Sequence, residues 1–201
     1  MRNGGAIRKG EATRQRIIAR SARLFNERGF AGCSMQDVME ATGLEKGGLY
    51  RHFQCKEDLA VEAFRYSLAQ AVKVRTDHLD RSRGAVELLR SFVKRFVATT
   101  SPVRGGCPLM NTAIDADDGN PVLRALARKG FSDWRARLSG FVSEGIRQGE
   151  IRGKTNPRRV ANTIIATLEG ALMMSRLEGK KTPLKDAQAA LDGMLDRIAA
   201  R

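Results

Sequence analysis

Residues 34–53, SMQDVMEATGLEKGGLYRHF, constrain the fold of this chain most, because they predict two short helices joined by a tight turn. Ser34 is a favourable N-cap residue, and a carboxylate three positions later can complete a capping box. Gly43 stands where the end of a helix favours a left-handed residue. Leu49 and Phe53 follow at i, i+4 spacing and therefore share an inner face of the second helix. The pattern predicts a helix-turn-helix.

The other face of the second helix carries Lys46, Tyr50, Arg51 and His52. A short helix that buries one side and presents cationic and hydrogen-bonding groups on the other suits a groove of DNA. The alternative interpretation is a surface helical hairpin without a special role.

The segments on either side of this hairpin extend the pattern. They read TRQRIIARSARLFNERGF over 13–30 and QCKEDLAVEAF over 54–64. Together with the hairpin they resemble the DNA-binding domain of the TetR family of bacterial transcriptional regulators. The residues that match the family pattern, in order, are Leu24, Phe25, Arg28, Gly29, Phe30, Thr42, Gly43, Gly47, Leu49, Tyr50, His52, Phe53, Lys56, Glu57 and Leu59. So many matches in order are far more specific than a single short motif.

The resemblance implies an all-α fold with an N-terminal three-helix helix-turn-helix domain and a C-terminal helical domain for ligand binding and dimerisation. We predict a flexible basic N-terminal arm (1–10), a helix-turn-helix domain (11–55) and a helical effector-binding and dimerisation domain (56–201). The first helix is expected to begin at Thr13. Further helix starts are predicted at Lys56, Ala85, Cys107–Pro108, Pro121, Pro157 and Pro183.

Three positions depart from the family pattern. Glu45 replaces the usual Ser or Thr cap of the recognition helix and adds negative charge next to the phosphates. Gly48 replaces a hydroxyl residue, and two adjacent glycines cost a short helix roughly 1 kcal/mol each relative to alanine. Cys55 replaces the Asn or Ser that commonly caps the fourth helix. These departures leave open a helical dimer that binds other proteins and no longer recognises specific DNA.

Composition and charge limit the class of protein. Aromatic residues make up only 5% of the chain, and the abundance of Ala, Leu, Arg and Glu favours helices. The net charge of +14 favours a polyanionic partner. Residues 1–60 hold 11 Lys and Arg against 7 Asp and Glu, a net of +4, so the excess is not concentrated in the helix-turn-helix. The absence of a long apolar run and of a signal peptide predicts a cytoplasmic protein without membrane association.

For DNA, the resemblance implies a role for several residues. Gln36 and Lys46 are candidates to reach base edges, because an amide pairs with adenine and an ammonium group with guanine. Candidates for phosphate contacts are Thr13, the helix start capped by Ser34, Gly47, Tyr50, His52 and Lys56. The expected partner is a palindromic, or nearly palindromic, double-stranded operator.

The family also implies a small-molecule pocket among the C-terminal helices. The candidate lining residues are Phe64, Phe92, Phe96, Cys107, Met110, Trp134, Leu138, Phe141, Met173 and Met174. Their apolar character favours a hydrophobic or aromatic effector, and Cys107 adds the possibility of an electrophilic one, although aromatic residues at helical spacing are more often plain core. Cys107, after two glycines at a predicted helix start, is a candidate sensor thiol; the alternative is a small buried apolar residue.

A homodimer is predicted from two apolar helices near the C-terminus. The helix that begins at Pro157 is apolar around most of its circumference, as expected for a helix covered on two sides. The candidate interface residues are Ile164, Leu168, Ala171, Leu172, Leu191 and Leu195. Two such helices and their copies would form a four-helix bundle around a two-fold axis. The alternative is that both helices are buried within one chain.

An all-α enzyme is the remaining alternative. The cysteines lie 22 and 52 residues apart, which is not metal-ligand spacing, and the sequence has no GxSxG, P-loop or dinucleotide motif. We therefore expect no catalytic residue, no metal and no cofactor. The sequence predicts a homodimeric transcriptional repressor that a small effector releases from its operator.

Overall fold

The computed structural model describes residues 4–77, 79 and 83–200, with side chains from residue 9 onward. The sequence also predicts that the fourth helix ends near residue 78 and that residues 80–84 form a short connection, and both of these predictions fall partly outside the described residues. Within the described ranges the chain is helical, and the helices are α1 (Gly4–Arg28), α2 (Met35–Thr42), α3 (Lys46–Tyr50), α4 (Lys56–Thr76), α5 (Ala85–Ala98), α6 (Pro108–Asp115), α7 (Pro121–Arg147), α8 (Pro157–Glu178) and α9 (Thr182–Ile198). This confirms the all-α fold class. None of these helices is both long and apolar enough to cross a bilayer.

The predicted start of the first helix at Thr13 is wrong. Helix α1 begins at Gly4, so residues 4–10, predicted as a flexible arm, are helical. The Thr13 hydroxyl does not cap a helix start, because it donates to the carbonyl of Lys9 one turn earlier at 3.0 Å. Gln15 donates to Glu11 at 2.8 Å across the next turn. Bonds at i, i+4 spacing hold an established helix rather than begin one.

Several helix ends follow the local signals in the sequence. The Ser34 side chain accepts the N–H of Asp37, whose carboxylate accepts the N–H of Ser34, so the capping box forms. Gly43 ends α2 with a φ of 68°. Asn156 accepts the N–H of Arg159 at the start of α8, where Pro157 occupies the first helical position. These ends were predictable because each depends on residues within one turn.

The chain divides into two compact units. The first unit holds the residues up to Ala71 together with Ser101–Arg128, and the second holds Val72–Thr100 with Lys129–Arg201. The first unit therefore combines α1, α2 and α3 with most of α4, α6 and the beginning of α7. The predicted domain 56–201 is divided between these units.

The first unit has a core under the helix-turn-helix and a smaller cluster beside it. The core consists of Ile17, Ile18, Leu24, Cys33, Val38, Leu49, Phe53 and Leu59. The smaller cluster comprises Ala60, Ala116 and Leu123, with Phe25, Phe30, Val61 and Leu126 packed against it. The helices α4, α6 and α7 therefore support the turn between α1 and α2.

The second unit packs α5, α7, α8 and α9 around one core. Its fully buried members include Leu89, Leu138, Ile164, Leu168 and Leu195. Helix α8 contacts both α9 and α5. Burial of such side chains stabilises the unit by about 1.5–3 kcal/mol each before entropy is counted.

Most of the residues predicted at the dimer interface belong to this core, so that assignment is wrong. Five of them, Ile164, Leu168, Ala171, Leu191 and Leu195, are buried within the single chain. The sixth, Leu172, is partly buried against the same core. The periodicity identified an apolar face of α8 and of α9, but it could not distinguish an inner face from an intermolecular one.

The apolar residues that α8 exposes are different. Met173 is 46% exposed, Met174 is 48% exposed and Leu177 is 81% exposed. A β-carbon added at Gly170, on the same helix, would meet no atom within 4 Å. This part of the α8 surface is therefore open and apolar within the single chain.

Candidate nucleic-acid interface

One face of α3 is buried in the core, and the opposite face is exposed to solvent. Leu49 is completely buried under α3, and Phe53 just beyond the helix is 3% exposed. Tyr50 is 41% exposed, and the Lys46 ammonium group lies 6.0 Å from the centre of its ring. Gly47 is exposed beside them. The outer surface thus presents a cation, a phenol and a stretch of open backbone, all of which suit a polyanion.

Helix α2 presents its own polar edge next to α3. Gln36 is exposed, and its amide donates to Glu40 at 3.1 Å along the helix. Hydrogen bonds from the Ser34 hydroxyl and backbone lower the pKa of the Asp37 carboxyl, with a further contribution from Arg28. The capping box thus keeps a carboxylate at the helix start, where it complements the helix dipole.

Two arginines of α1 fix α2 against it. Arg20 donates to the carbonyl of Ala41 at 2.9 Å, near the end of α2. Arg28 pairs with Asp37 at 3.2 Å, near its beginning. Cationic groups satisfy free carbonyls at the end of a helix and carboxylates near its start. The frame that carries the candidate DNA surface is therefore held at both ends of α2.

Lys56 is turned towards the protein rather than towards open solvent. Its ammonium group donates to the carbonyls of Phe30 at 2.9 Å and Cys33 at 2.8 Å. It also lies 4.0 Å from the centre of the Phe30 ring. In this structure Lys56 binds the turn between α1 and α2, whereas the phosphate contact stays a prediction.

Two other DNA candidates lie beside the helix-turn-helix. Thr13 is half-buried in the interior of α1, and His52 is half-buried just after α3. Close to His52, the Arg14 guanidinium lies 5.0 Å from the centre of the Phe53 ring and pairs with Glu62 at 3.4 Å. Arg14 therefore braces the end of α3 from α1.

A polar cluster beside the helix-turn-helix was not identified from the sequence. The Asn26 amide, near the end of α1, donates to the carbonyls of Arg104 at 2.8 Å and Gly106 at 3.3 Å. Asn111 of α6 donates to the Asn26 side chain at 3.1 Å and to the Gly105 carbonyl at 2.8 Å. These partners are 78 to 85 residues apart or bridge a loop, so no local pattern identifies them.

Gly105 allows this close contact. Its φ is 111°, a backbone conformation that residues other than glycine rarely adopt, and an added β-carbon would collide with the backbone of Asn26. The nearby cavity of about 30 Å³ is lined by Asn26, Asn111 and Phe64, among others. A water molecule needs roughly 10–15 Å³, so this cavity has room for water.

The residues predicted to line an effector pocket are divided between the two compact units. Phe64, Cys107 and Met110 lie in the first unit, and the others lie in the second. In the second unit, Leu138 is completely buried and Phe141 packs against the same core. The two methionines of α8, predicted to line the pocket, are exposed on the surface of the single chain, so their inward assignment is wrong.

An aromatic cluster lies in the second unit. The Trp134 ring lies 6.2 Å from that of Phe92 and 6.0 Å from that of Phe96. Phe131, which was not predicted as a site residue, also stacks on Trp134, with its ring centre 6.4 Å away. The buried guanidinium of Arg75 lies 4.3 Å from the centre of the Phe96 ring. Within the described residues, the buried indole N–H of Trp134 has no hydrogen-bond acceptor.

The three cysteines have different surroundings. Cys33 is buried, and this burial, followed by the Asp37 carboxylate, raises the pKa of its thiol. Cys107 is also buried, at the start of α6. Cys55 is exposed, and its sulfur accepts the N–H of Asp58 at 3.5 Å at the start of α4. Cys55 therefore takes the position of the N-cap that the family pattern gives to Asn or Ser.

No set of three or more His, Cys, Asp or Glu side chains in the described part of the chain is arranged to hold a metal ion.

Helix α3 buries one face and exposes a cationic face, α2 is capped at its start, and α1 holds both helices through its arginines. This arrangement defines a helix-turn-helix protein of the DNA-binding class.

Comparison with known proteins identifies the family. Residues 17–63 match the family described as bacterial regulatory proteins, tetR family, and residues 85–191 match the tetracyclin repressor-like C-terminal domain. The chain belongs to the TetR family and is a DNA-binding transcriptional regulator. Membership of a family of regulators, which are not enzymes, decides against the all-α enzyme.

Related proteins match most of the length of this chain. A TetR transcriptional regulator from Chloroflexus aurantiacus is 41% identical, with a TM-score of 0.90 over 96% of this chain and 98% of that one. A TetR-family regulator from Cytophaga hutchinsonii is 32% identical, with a TM-score of 0.88 over the same shares. The transcriptional repressor DhaR from Mycobacterium sp. (strain GP1) is 26% identical over 172 residues, 85% of this chain and 86% of that protein.

Proposed function

We propose that this regulator is a homodimeric repressor whose α2 and α3 read a near-palindromic operator. The observation that carries the proposal is the division of α3, with Leu49 completely buried and Tyr50 41% exposed beside Lys46. Gln36 and Lys46 contact base edges, while Tyr50 and His52 contact phosphates. Because the operator is genomic DNA, the proposed place of action is the cytoplasm.

The N-terminus of α2 supplies a further phosphate contact in this proposal. Ser34 caps the helix through the N–H of Asp37, and the other N–H groups of a first helical turn have no partner within the helix, so a phosphate can accept from them. Thr13 and Gly47 lie on α1 and α3 as further contacts with the backbone of the duplex. In a dimer, two such surfaces about 34–36 Å apart match successive major grooves.

The proposed dimer uses the outer surfaces of α8 and α9. The support is the exposed apolar set on α8, Met173, Met174 and Leu177, next to the open surface at Gly170. A patch of large exposed apolar side chains commonly marks a protein interface. A two-fold axis through this surface pairs each patch with its own copy.

The proposed effector is a small hydrophobic or electrophilic molecule that enters the aromatic cluster of the second unit. The support is the set of rings around Trp134 and its indole N–H, which lacks an acceptor among the described residues. A buried donor without an acceptor costs free energy, so a ligand that supplies a carbonyl or hydroxyl oxygen gains from it. Release from DNA follows when the effector binds better to the conformation that does not fit the operator.

The test is selection of an operator from fragmented genomic DNA, followed by binding measurements on the enriched fragment. We expect a near-palindrome to be enriched, and Tyr50→Ala and Lys46→Ala to weaken binding. The matched control is Lys129→Ala, which removes the same charge from an exposed residue of α7. Absence of enrichment at low salt, where phosphate contacts are strongest, would contradict the proposal.

A further inference from the structure

The turn between α1 and α2 depends on side chains from other helices. Helix α1 ends at Arg28, and Gly29 takes a φ of 80°. The backbone hydrogen bond inside the turn, from the N–H of Cys33 to the carbonyl of Phe30, is long at 3.4 Å. A weak internal bond leaves the conformation of such a turn to its surroundings.

Two oppositely charged side chains hold the peptide groups on either side of Phe30. The N–H of Phe30 donates to the Asp115 carboxylate at 2.6 Å. Its carbonyl accepts from the Lys56 ammonium group at 2.9 Å, and Lys56 also donates to the carbonyl of Cys33. Hydrogen bonds with one ionised partner are roughly twice as strong as neutral ones.

The Asp115 carboxylate is itself held in place. Asp115 is the last residue of α6, and Asn111, one turn earlier, is bound to Asn26 of α1. Gly29 leaves room for the carboxylate, because an added β-carbon would lie 2.6 Å from an Asp115 oxygen. The acceptor for the Phe30 N–H is therefore placed by a short helix that lies outside the helix-turn-helix in sequence.

We propose that Asp115 is a positioning residue for operator binding, because it fixes the turn from which α2 begins. Ser34, the cap of α2, follows this turn directly, and the α2 N-terminus is a phosphate contact in the proposed function on which this inference rests. A displaced turn moves the backbone N–H groups away from the phosphate. Asp115 need not touch DNA for this effect.

The test compares variants of the full-length protein on the selected operator, with the fraction of active protein titrated first. Asp115→Ala removes the acceptor, Asp115→Asn keeps a neutral acceptor, and Asp115→Glu keeps the charge but moves it. Asp118→Ala is the charge control, since Asp118 is an exposed carboxylate of the following loop. Hydrogen exchange of the Phe30 amide is measured in parallel, without DNA.

We expect Asp115→Ala to weaken operator binding about tenfold, as loss of a charge-assisted hydrogen bond shifts an equilibrium by roughly that factor. Its Phe30 amide exchanges faster. Asp115→Asn keeps a neutral bond that is about half as strong, so it is expected to bind about threefold more weakly than wild type. Asp118→Ala binds within about twofold of wild type. A protein that is merely destabilised shows a smaller active fraction at unchanged affinity. If Asp115→Ala does not fold, Asp115→Glu is expected to fold and to bind more weakly than wild type.

Any one of four results would overturn the inference. The first is equal operator affinity of Asp115→Ala and Asp118→Ala, and the second is equal affinity of Asp115→Glu and wild type. The third is an Asp115→Asn variant that binds as poorly as Asp115→Ala. The fourth is a Phe30 amide whose exchange does not change in Asp115→Ala. If the wild-type protein selects no operator, the proposed function fails, and this inference fails with it. If the wild-type protein selects an operator and one of the results above is obtained, only this inference fails.

Discussion

Replacing each of the two adjacent glycines of α3 by alanine separates the stability of this helix from its contact with DNA. Gly47 is exposed, and a β-carbon added there would meet no atom within 4 Å. A β-carbon at Gly48 would lie 3.7 Å from a methyl group of Leu44, an ordinary van der Waals contact. Both glycines lie inside α3, where alanine fits the backbone.

The expected gain in stability follows from the loss of conformational freedom in the unfolded chain. Alanine at a compatible helical position stabilises a protein by about 0.4–1 kcal/mol relative to glycine. We expect Gly47→Ala and Gly48→Ala each to raise the free energy of unfolding by this amount. Gly48→Ala lies towards the upper end because its methyl group also packs on Leu44.

The two variants should differ in operator binding. An alanine methyl group at position 47 would project from the outer surface of α3, where the backbone of the duplex is proposed to contact the protein. Loss of one hydrogen bond to a charged phosphate there would weaken operator binding by about 1.5–3 kcal/mol. The Gly48 methyl group faces the protein. If DNA binding has to order α3, Gly48→Ala tightens binding by up to about fivefold, the factor that corresponds to about 1 kcal/mol.

Urea denaturation followed by circular dichroism measures the stability, and fluorescence anisotropy with the labelled operator measures the affinity. Gly43→Ala is the control, because the φ of 68° at Gly43 makes alanine costly by about 1–2 kcal/mol. A destabilised Gly48→Ala would refute the helix argument. Equal, undiminished affinity of both variants would refute the proposed orientation of α3 on DNA.

Three further predictions concern other parts of the chain. Iodoacetamide is expected to modify Cys55 in the folded protein and the two buried thiols only after unfolding, which mass spectrometry checks. Hydrogen bonds from Ser34 lower the pKa of Asp37 from its usual value of 3.8, so the carboxylate stabilises the fold above about pH 4 and this contribution is lost as the pH falls through the lowered pKa. In acid denaturation, the free energy of unfolding should therefore fall less below about pH 4 for Asp37→Asn than for wild type. The double variant Met173→Glu, Leu177→Glu is expected to be monomeric by light scattering with unchanged helicity, and a dimer of this variant would contradict the proposed interface.

Much of the fold was predictable because its signals are local. Ser34 and Gly43 at the ends of α2, and Asn156 at the start of α8, act within one turn of the chain. The inward direction of Leu49 and Phe53 follows from their spacing alone. The same local reasoning failed for Thr13, since a hydroxyl that can cap a helix can also bond to the preceding turn.

The exposed face of the candidate site was predictable from the sequence, whereas the side-chain contacts that hold its helices in place were not. The cationic and aromatic face of α3 depends on helical periodicity, which the sequence displays. The bond between Phe30 and Asp115 joins residues 85 positions apart, and no spacing indicates it. Lys56 could be assigned to phosphate by family pattern, but only tertiary structure brings its ammonium group to two carbonyls of the turn.

The sequence by itself determined the all-α class and the helix-turn-helix, because helix propensity, caps and periodicity act over a few residues. It also determined the family, because the residues of the family motif occur in the expected order along the chain. Only the tertiary structure decided which apolar residues of α8 are core and which are exposed, since periodicity marks a face but not its partner. The tertiary structure also decided that α6 supports the turn before α2. Hydrogen bonds between distant residues depend on how the helices pack, and that packing depends on the whole unit at once.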